Sequence, residues 1–257
     1  MTTIAVTGKG GVGKTTISAL TIHWLARQKK GPVLAVDADS NSNLHELLGI
    51  EYTSTVGGVR EEARKRISSM GAGIAKQQFL EMQIAQSLVE RQGYDLLVMG
   101  RPEGPGCYCF ANSILRDAIQ RLSRNYRFLV VDCEAGLEHL SRRTVLEVDY
   151  LLTVSDPSLR GLRTANRVSR ILDEMDARIR RRGLIVNQVR GSALEFSAPQ
   201  LSVIAEGGFE EIVALPYDET IRLLDEEGGS INENSAEGAL KNALDVFLAH
   251  LFDASLT

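Results

Sequence analysis

Four glycines and two lysines crowd into nine residues near the start of the chain, Gly8-Lys9-Gly10-Gly11-Val12-Gly13-Lys14-Thr15-Thr16. A short β-rich run, Thr3-Ile4-Ala5-Val6-Thr7, precedes them. A stretch with helical spacing of Ile17, Leu20 and Leu25 follows, from Thr15 to Gln28. Glycines reach backbone conformations closed to residues with a Cβ, so consecutive amides can converge on one point. A helix N-terminus beyond them adds free N–H groups and the positive end of a dipole. The order strand, glycine loop, helix therefore predicts a cradle for a polyphosphate, and the run satisfies G-x-x-x-x-G-K-[ST] in full. Lys14 is expected on the β- and γ-phosphates and the Thr15 hydroxyl on Mg²⁺. Gly8, Gly10, Gly11, Val12, Gly13, Lys14, Thr15 and Thr16 are the candidate nucleotide-binding residues. The competing reading, a glycine-rich turn with accidental lysines, is disfavoured by the complete motif in this context.

Short apolar runs recur at Val33–Asp37, Asp95–Met99, Phe128–Asp132, Tyr150–Val154, Gly183–Asn187 and Ile212–Leu215. Helical stretches separate most of them, at Ile114–Leu122, Thr164–Met175 and Gln200–Glu206. That alternation predicts an α/β fold with a mostly parallel central sheet and helices on both faces, and the phosphate loop at its start makes the expected fold that of a P-loop NTPase. Ligands of such sheets bind beyond the carboxyl ends of the strands, where strand order reverses. With no internal repeat or low-complexity linker, residues 1–257 read as one domain. The region Gly57–Gln92 reads as helical, polar and glycine-interrupted, a flap or an inserted helical pair.

The net charge of −4 argues against a general nucleic-acid binder. The cluster Arg178, Arg180, Arg181, Arg182 reads as a solvated helix end between a helix and a strand, not as a contact site. Strand residues begin within three positions of Met1, and no apolar run approaches the ~18 residues of a membrane span. Leu240, Leu244, Phe247, Leu248 and Leu251 share one face of a C-terminal helix with only Lys241 nearby, a pattern for core packing rather than membrane targeting. The expectation is a cytoplasmic protein with no nucleic-acid and no membrane partner. Three cysteines in that compartment point to thiol chemistry or metal binding rather than disulfides.

A Mg-nucleotide site needs carboxylates at neighbouring strand ends. Leu34-Ala35-Val36-Asp37-Ala38-Asp39 supplies two, and Phe128-Leu129-Val130-Val131-Asp132 a third, with Gly136 soon after. One can orient the attacking water and another hold the hydration shell of Mg²⁺. Asp39 and Asp132 are the candidates; Asp37 stays open between a turn former and a functional acid. The run from Gly8 to Thr16 resembles the deviant Walker A motif of the ATPases that include the MinD and ParA proteins and the nitrogenase iron protein. The resemblance implies ATP hydrolysis to ADP and phosphate in a face-to-face homodimer, with Lys9 reaching the partner's nucleotide. It implies Asp39 as the water-orienting residue of switch I and Asp132 as the Walker B and switch II aspartate. It further implies Asn187, which ends Leu184-Ile185-Val186-Asn187, as an adenine contact. Pro216 and Tyr217, in Leu215-Pro216-Tyr217-Asp218, fall in the loop that closes over the base. Ser40 departs from the pattern, where many relatives carry proline.

The segment Arg101-Pro102-Glu103-Gly104-Pro105-Gly106-Cys107-Tyr108-Cys109 follows the strand run Leu96-Leu97-Val98-Met99. Two thiolates one residue apart half-fill a tetrahedral metal site, and a second copy of the chain completes it. Soft thiolates suit Zn²⁺, Ni²⁺ and Cu⁺. The alternative is a pair of small buried hydrophobes, but glycine and proline ahead of them indicate a loop. Cys-Tyr-Cys in a chain with this phosphate loop resembles the CooC-type nickel-insertion ATPases. The run Val131-Asp132-Cys133-Glu134-Ala135-Gly136-Leu137-Glu138-His139-Leu140 is similar to their switch II. This resemblance implies Ni²⁺ or Zn²⁺ on Cys107 and Cys109, and a client enzyme, carbon monoxide dehydrogenase or acetyl-CoA synthase. Cys133 leaves a second reading open, an iron–sulfur ATP-driven reductase resembling the nitrogenase iron protein. A third is a MinD- or ParA-like positioning ATPase with incidental cysteines. His139 reads as a satisfied loop histidine and His23 as structural.

Overall fold

The structure, a computed structural model, describes residues 1–59, 82, 84–100, 122, 125–133, 147–174, 177–191, 195–231 and 238–253. Among them eight strands form one sheet: β1 (Thr2–Gly8), β2 (Val33–Asp37), β3 (Val89–Glu90), β4 (Tyr94–Val98), β5 (Phe128–Asp132), β6 (Glu147–Ser155), β7 (Arg178–Val189) and β8 (Glu211–Pro216). Their order is β3-β4-β2-β5-β1-β6-β7-β8. Only the short edge pair β3–β4 is antiparallel; the other pairings are parallel. The helices are α1 (Lys14–Gln28), α2 (Leu44–Leu47), α3 (Leu159–Glu174), α4 (Ala198–Ala205), α5 (Glu219–Glu226) and α6 (Ala239–Asp253).

β2 and β5 are buried along their whole length, as strands covered on both faces must be, which is why they read as unbroken apolar runs. Alternate residues feed opposite layers. Ile4 and Val6 of β1 pack with Ile17, Trp24 and Leu25 of α1 and with Leu244 and Leu248 of α6. Ala5, between them, joins Leu34, Val36, Val131 and Leu151 on the other face, with Leu172 of α3. A third cluster seats Leu162 and Ala165 of α3 and Ile204 of α4 on Leu184 and Val186 of β7. The apolar face of the C-terminal helix lies in the core as expected, with Leu240, Leu244, Phe247, Leu248 and Leu251 all buried.

The basic cluster is placed differently from the sequence reading. Arg178, Arg180, Arg181 and Arg182 belong to β7 itself and not to a helix end. β6 supplies the template, pairing Glu147 with Arg178 and Leu151 with Arg182. Carboxylates then hold the side chains: Glu147 on Arg178 at 2.9 Å, Glu211 on Arg181 at 2.9 Å, and Asp173 on Arg182. β3 lies inside the stretch Gly57–Gln92 that reads as helical, of which residues 60–81 and 83 are outside the described set.

Candidate functional site

The carboxyl ends of β1, β2, β5 and β7 converge on the glycine loop. β1 ends at Gly8, whose backbone passes so close to β6 that a Cβ there would sit 2.1 Å from the Val154 carbonyl oxygen. Gly11 (φ 78°) and Gly13 (φ 90°) hold left-handed conformations, and Gly13 stands at the N-cap of α1. The far side of the loop is tied to β7. A bulge between Val186 and Val189 breaks the β7–β8 ladder, and Gln188 takes φ 62° within it. Bulges re-aim side chains, and here two of them reach the loop. Asn187 Nδ2 donates to the Val12 carbonyl at 2.9 Å, and Gln188 Nε2 donates to the Gly11 carbonyl at 3.3 Å. Asn187 Oδ1 is buried without a partner.

Beneath the loop lie two buried carboxylates, Asp37 and Asp132, cross-strand partners in the β2–β5 register. Asp132 accepts from the Ser18 hydroxyl at 2.9 Å and from the Thr15 hydroxyl. Burial pushes its pKa up to about 6, against those hydrogen bonds and the nearby Lys14 ammonium, which pull it down. Asp37 accepts from Leu44 N–H at 3.0 Å and Asp39 N–H at 3.2 Å, organising the turn into α2. Burial, then the neighbouring Asp132, push Asp37 up to about 8. Both backbone hydrogen bonds are those of a turn former. Asp39, one step outward, lines the cleft and accepts from Asn41 N–H at 2.8 Å.

Both raised values favour the protonated acid in the folded chain, so the stability they bring is complete below the unfolded value near 4 and is lost as pH rises through 6 and then 8. Nucleotide-free protein in a metal chelator is thus expected to be more easily unfolded by urea at pH 8.5 than at pH 5.5. A flat or rising midpoint over that interval would contradict it.

The cleft has a volume of about 500 Å³ and is lined by Gly10, Gly11, Gly13, Lys14, Thr15 and Thr16 on one side, within the usual size of a small-molecule site. Asp39, Asn41, Asn187, Gln188, Tyr217, Asp218 and Arg222 complete the lining. The Tyr217 ring carries the Arg190 guanidinium 4.2 Å from its centroid and donates its hydroxyl to Glu219 at 2.8 Å. Asp218 caps α5, accepting from Thr220 N–H at 2.9 Å and Ile221 N–H at 3.2 Å. Lys14 is nearly buried and donates to the Lys9 carbonyl at 3.3 Å, whereas the Lys9 side chain is exposed. Gly8, Lys9, Val12, Asp132 and Pro216 stand behind or beside the cleft rather than in its lining. Gln188 and Arg222 were not singled out by sequence reading, because a lone polar residue after a strand and a helical arginine carry no motif.

Cys107, Cys109, Gly136 and His139 lie outside the described residues. Cys133 is fully buried beside β1, its N–H on the Val6 carbonyl at 3.0 Å, and burial pushes its thiol pKa up. Among the described residues no group of three or more His, Cys, Asp or Glu is placed to hold a metal ion. No described helix is long and apolar enough to cross a membrane.

Residues 1–183 match the AAA domain, about seven-tenths of the chain. The chain belongs to the AAA-domain family. This AAA-domain protein is 44% identical over 227 residues to an uncharacterized ATP-binding protein of Methanocaldococcus jannaschii, covering 88% of each chain. It is 28% identical over 239 residues to the carbon monoxide dehydrogenase accessory protein CooC of Rhodospirillum rubrum, covering 88% of this chain and 87% of that one. Its fold is that of the septum site-determining protein MinD of Pyrococcus horikoshii, complexed with Mg-ADP. The TM-score is 0.71 at 21% identity, over 99% of this AAA-domain chain and 97% of MinD. The expected α/β P-loop NTPase architecture is therefore borne out.

Proposed function

We propose that the protein is an ATP-dependent nickel-insertion accessory ATPase, acting as a homodimer in the maturation of carbon monoxide dehydrogenase or acetyl-CoA synthase. The observation that carries this reading is the presence of Cys107-Tyr108-Cys109 in a chain whose P-loop, Asp39 and β7 bulge line one cleft. The likeness to CooC and the Mg-ADP bound by a MinD of the same fold support it. Gly8, Gly10, Gly11, Val12, Gly13 and Thr16 cradle the phosphates, Lys14 pairs with them, and the Thr15 hydroxyl holds Mg²⁺. The donor set fits: a hydroxyl anchored on a buried carboxylate lies beside a loop whose glycines adopt positive φ. Bound Mg²⁺ offsets the charge of the β- and γ-phosphates. Asp39 orients the attacking water, and Asp132 fixes Thr15 and Ser18. Asn187, Pro216 and Tyr217 border the base.

Lys9, exposed at the loop tip, extends to the nucleotide of a second copy, so ATP favours the closed dimer. Closure joins the two Cys107/Cys109 pairs around Ni²⁺, or Zn²⁺ in its place, which is cargo rather than a resident cofactor. By linkage, metal then favours the dimer as ATP does. The iron–sulfur alternative requires a cluster ligand near switch II, and Cys133 is a buried thiol with no exposed surface. The MinD-like alternative, a positioning ATPase, shares this fold; the apolar face of α6 is buried in the core rather than available to a membrane.

The test is equilibrium dialysis with Ni²⁺, with and without Mg-ATP, for the parent and the variant Cys107→Ser/Cys109→Ser, followed by activation of apo carbon monoxide dehydrogenase. The parent is expected to bind nickel and activate the enzyme, and the variant to lose both while still binding ATP. Nickel stoichiometry unchanged by the double substitution would sink the proposal.

A further inference from the structure

Helix α3 divides cleanly into two faces. Gly161, Leu162, Ala165, Asn166, Ser169 and Leu172 are buried. Arg160, Arg163, Arg167 and Arg170 are all exposed. At 100° and 1.5 Å per residue these four guanidinium groups fall within about 80° of helix circumference and along about 15 Å of axis. Arg170 meets Glu206 at 3.8 Å. Arg160, Arg163 and Arg167 form no ion pair among the described residues.

This arrangement works against the helix that carries it. Arg160–Arg163, Arg163–Arg167 and Arg167–Arg170 are like charges at i,i+3 or i,i+4, each a repulsive neighbour pair. The first turn has no acidic residue and the last turn no basic one, the reverse of what the helix dipole favours. Such a row has no stabilising role within the fold, and a ligand that brings carboxylates relieves it.

We infer that the arginine stripe of α3 is a docking surface for an acidic patch on a partner protein. Guanidinium groups grip carboxylates through paired N–H donors. A second copy meeting this face isologously would set arginine against arginine, so the occupant is a different protein. A nucleic acid fits less well. Glu174 lies on the same arc one turn beyond Arg170, Asp173 is exposed beside it, and the chain as a whole carries −4. The basic track therefore stops after about three turns, matching a compact cluster of carboxylates rather than a long polyphosphate. α3 starts just past the carboxyl end of β6, capped by Ser158, whose hydroxyl accepts from Gly161 N–H at 3.0 Å. The stripe thus begins at the same end of the sheet as the nucleotide cleft. The inference stands independently of the nickel reading.

The experiment uses the full chain, a fluorescently labelled oligoglutamate peptide and a duplex DNA of matched charge. The parent protein is compared with Arg160→Ala/Arg163→Ala/Arg167→Ala and with Arg180→Ala as a control outside the stripe. The parent and control are expected to bind the peptide with an affinity that falls as salt is raised. The triple variant is expected to bind it about tenfold or more weakly, with a melting temperature equal to or above the parent's because the like-charge pairs are gone. Peptide binding by the triple variant within about twofold of the parent's overturns the proposal. So does tighter binding of the DNA through these arginines, or a melting temperature that falls together with binding, which would make the stripe structural.

Discussion

Asp132→Asn is expected to leave the nucleotide-free protein as stable as the parent, or more so, while lowering Mg-ATP turnover by about 10²-fold or more. The two effects separate because the side chain meets two demands. As a packing element it fills a site with 1% exposure at the end of β5 and accepts from Ser18. An asparagine has the same shape, still accepts on Oδ1, and donates from Nδ2 to a hydroxyl lone pair at Thr15. The lost charge was a burden to the free protein. Burial already holds Asp132 at about 6, and its proximity is the second cause of the shift in Asp37. Removing it should lower the Asp37 value from about 8 and flatten the pH dependence of stability. What disappears is the negative charge beside Thr15, which the proposed mechanism requires in the Mg-nucleotide state. Urea unfolding between pH 5.5 and 8.5, together with phosphate release at saturating Mg-ATP, measures both halves. Unchanged turnover would remove Asp132 from the mechanism, and a variant that fails to fold would contradict the account of its packing.

Gly8→Ala should be the most damaging single methyl in the phosphate loop. The residue sits at φ +147°, and its Cβ would stand 2.1 Å from the Val154 oxygen and 3.1 Å from its carbonyl carbon. Both atoms are backbone, and β1 is held between β5 and β6, so neither strand can yield without opening the ladder. A cost of about 4 kcal/mol or more is expected, the range reached only when a named structural constraint is broken. That corresponds to a fall of roughly 10 °C in melting temperature, or loss of soluble protein. Gly11→Ala is the matched comparison. Nothing lies within 4 Å of its Cβ, leaving only the strain of φ +78°, about 1–2 kcal/mol. Equal destabilisation of the two variants would show that conformation alone, and not the approach of β1 to β6, sets the glycine requirement.

The parts of this fold that are legible in the sequence are those in which burial is total. β2 and β5 begin and end where their apolar runs do, because both faces are covered and every residue must be hydrophobic until the terminal aspartate. The first half of β7 is hidden for the opposite reason. Arg-Ile-Arg-Arg-Arg has no strand signature of its own and becomes a strand because β6 offers hydrogen bonds and Glu147, Glu211 and Asp173 offer counter-charges from distant positions. α5 is missed similarly: its cap Asp218 belongs to a segment read as a base-closing loop, and no residue of the helix is fully buried. At the site, a spacing rule exposed the phosphate loop, and strand-end position exposed Asp39 and Asp132. The hold of Gln188 on Gly11 depends on a bulge that shifts the β7 register by geometry, which one-dimensional spacing does not encode. Asp37 illustrates a third limit. Its identity was legible, but its raised pKa owes part of its shift to a cross-strand neighbour, Asp132, nearly a hundred positions away.

Cys133 turns the seam between β1 and β5 into something that can be timed. Its sulfur has no exposed surface, and burial leaves it a poor nucleophile. In the native protein it should stay silent toward alkylating reagents until that seam parts. Labelling at this one position, followed by mass spectrometry, would act as a stopwatch for opening of the central strands. Comparing the clock with and without Mg-ATP would reveal how firmly an occupied phosphate loop fastens the two strands that carry Gly8 and Asp132.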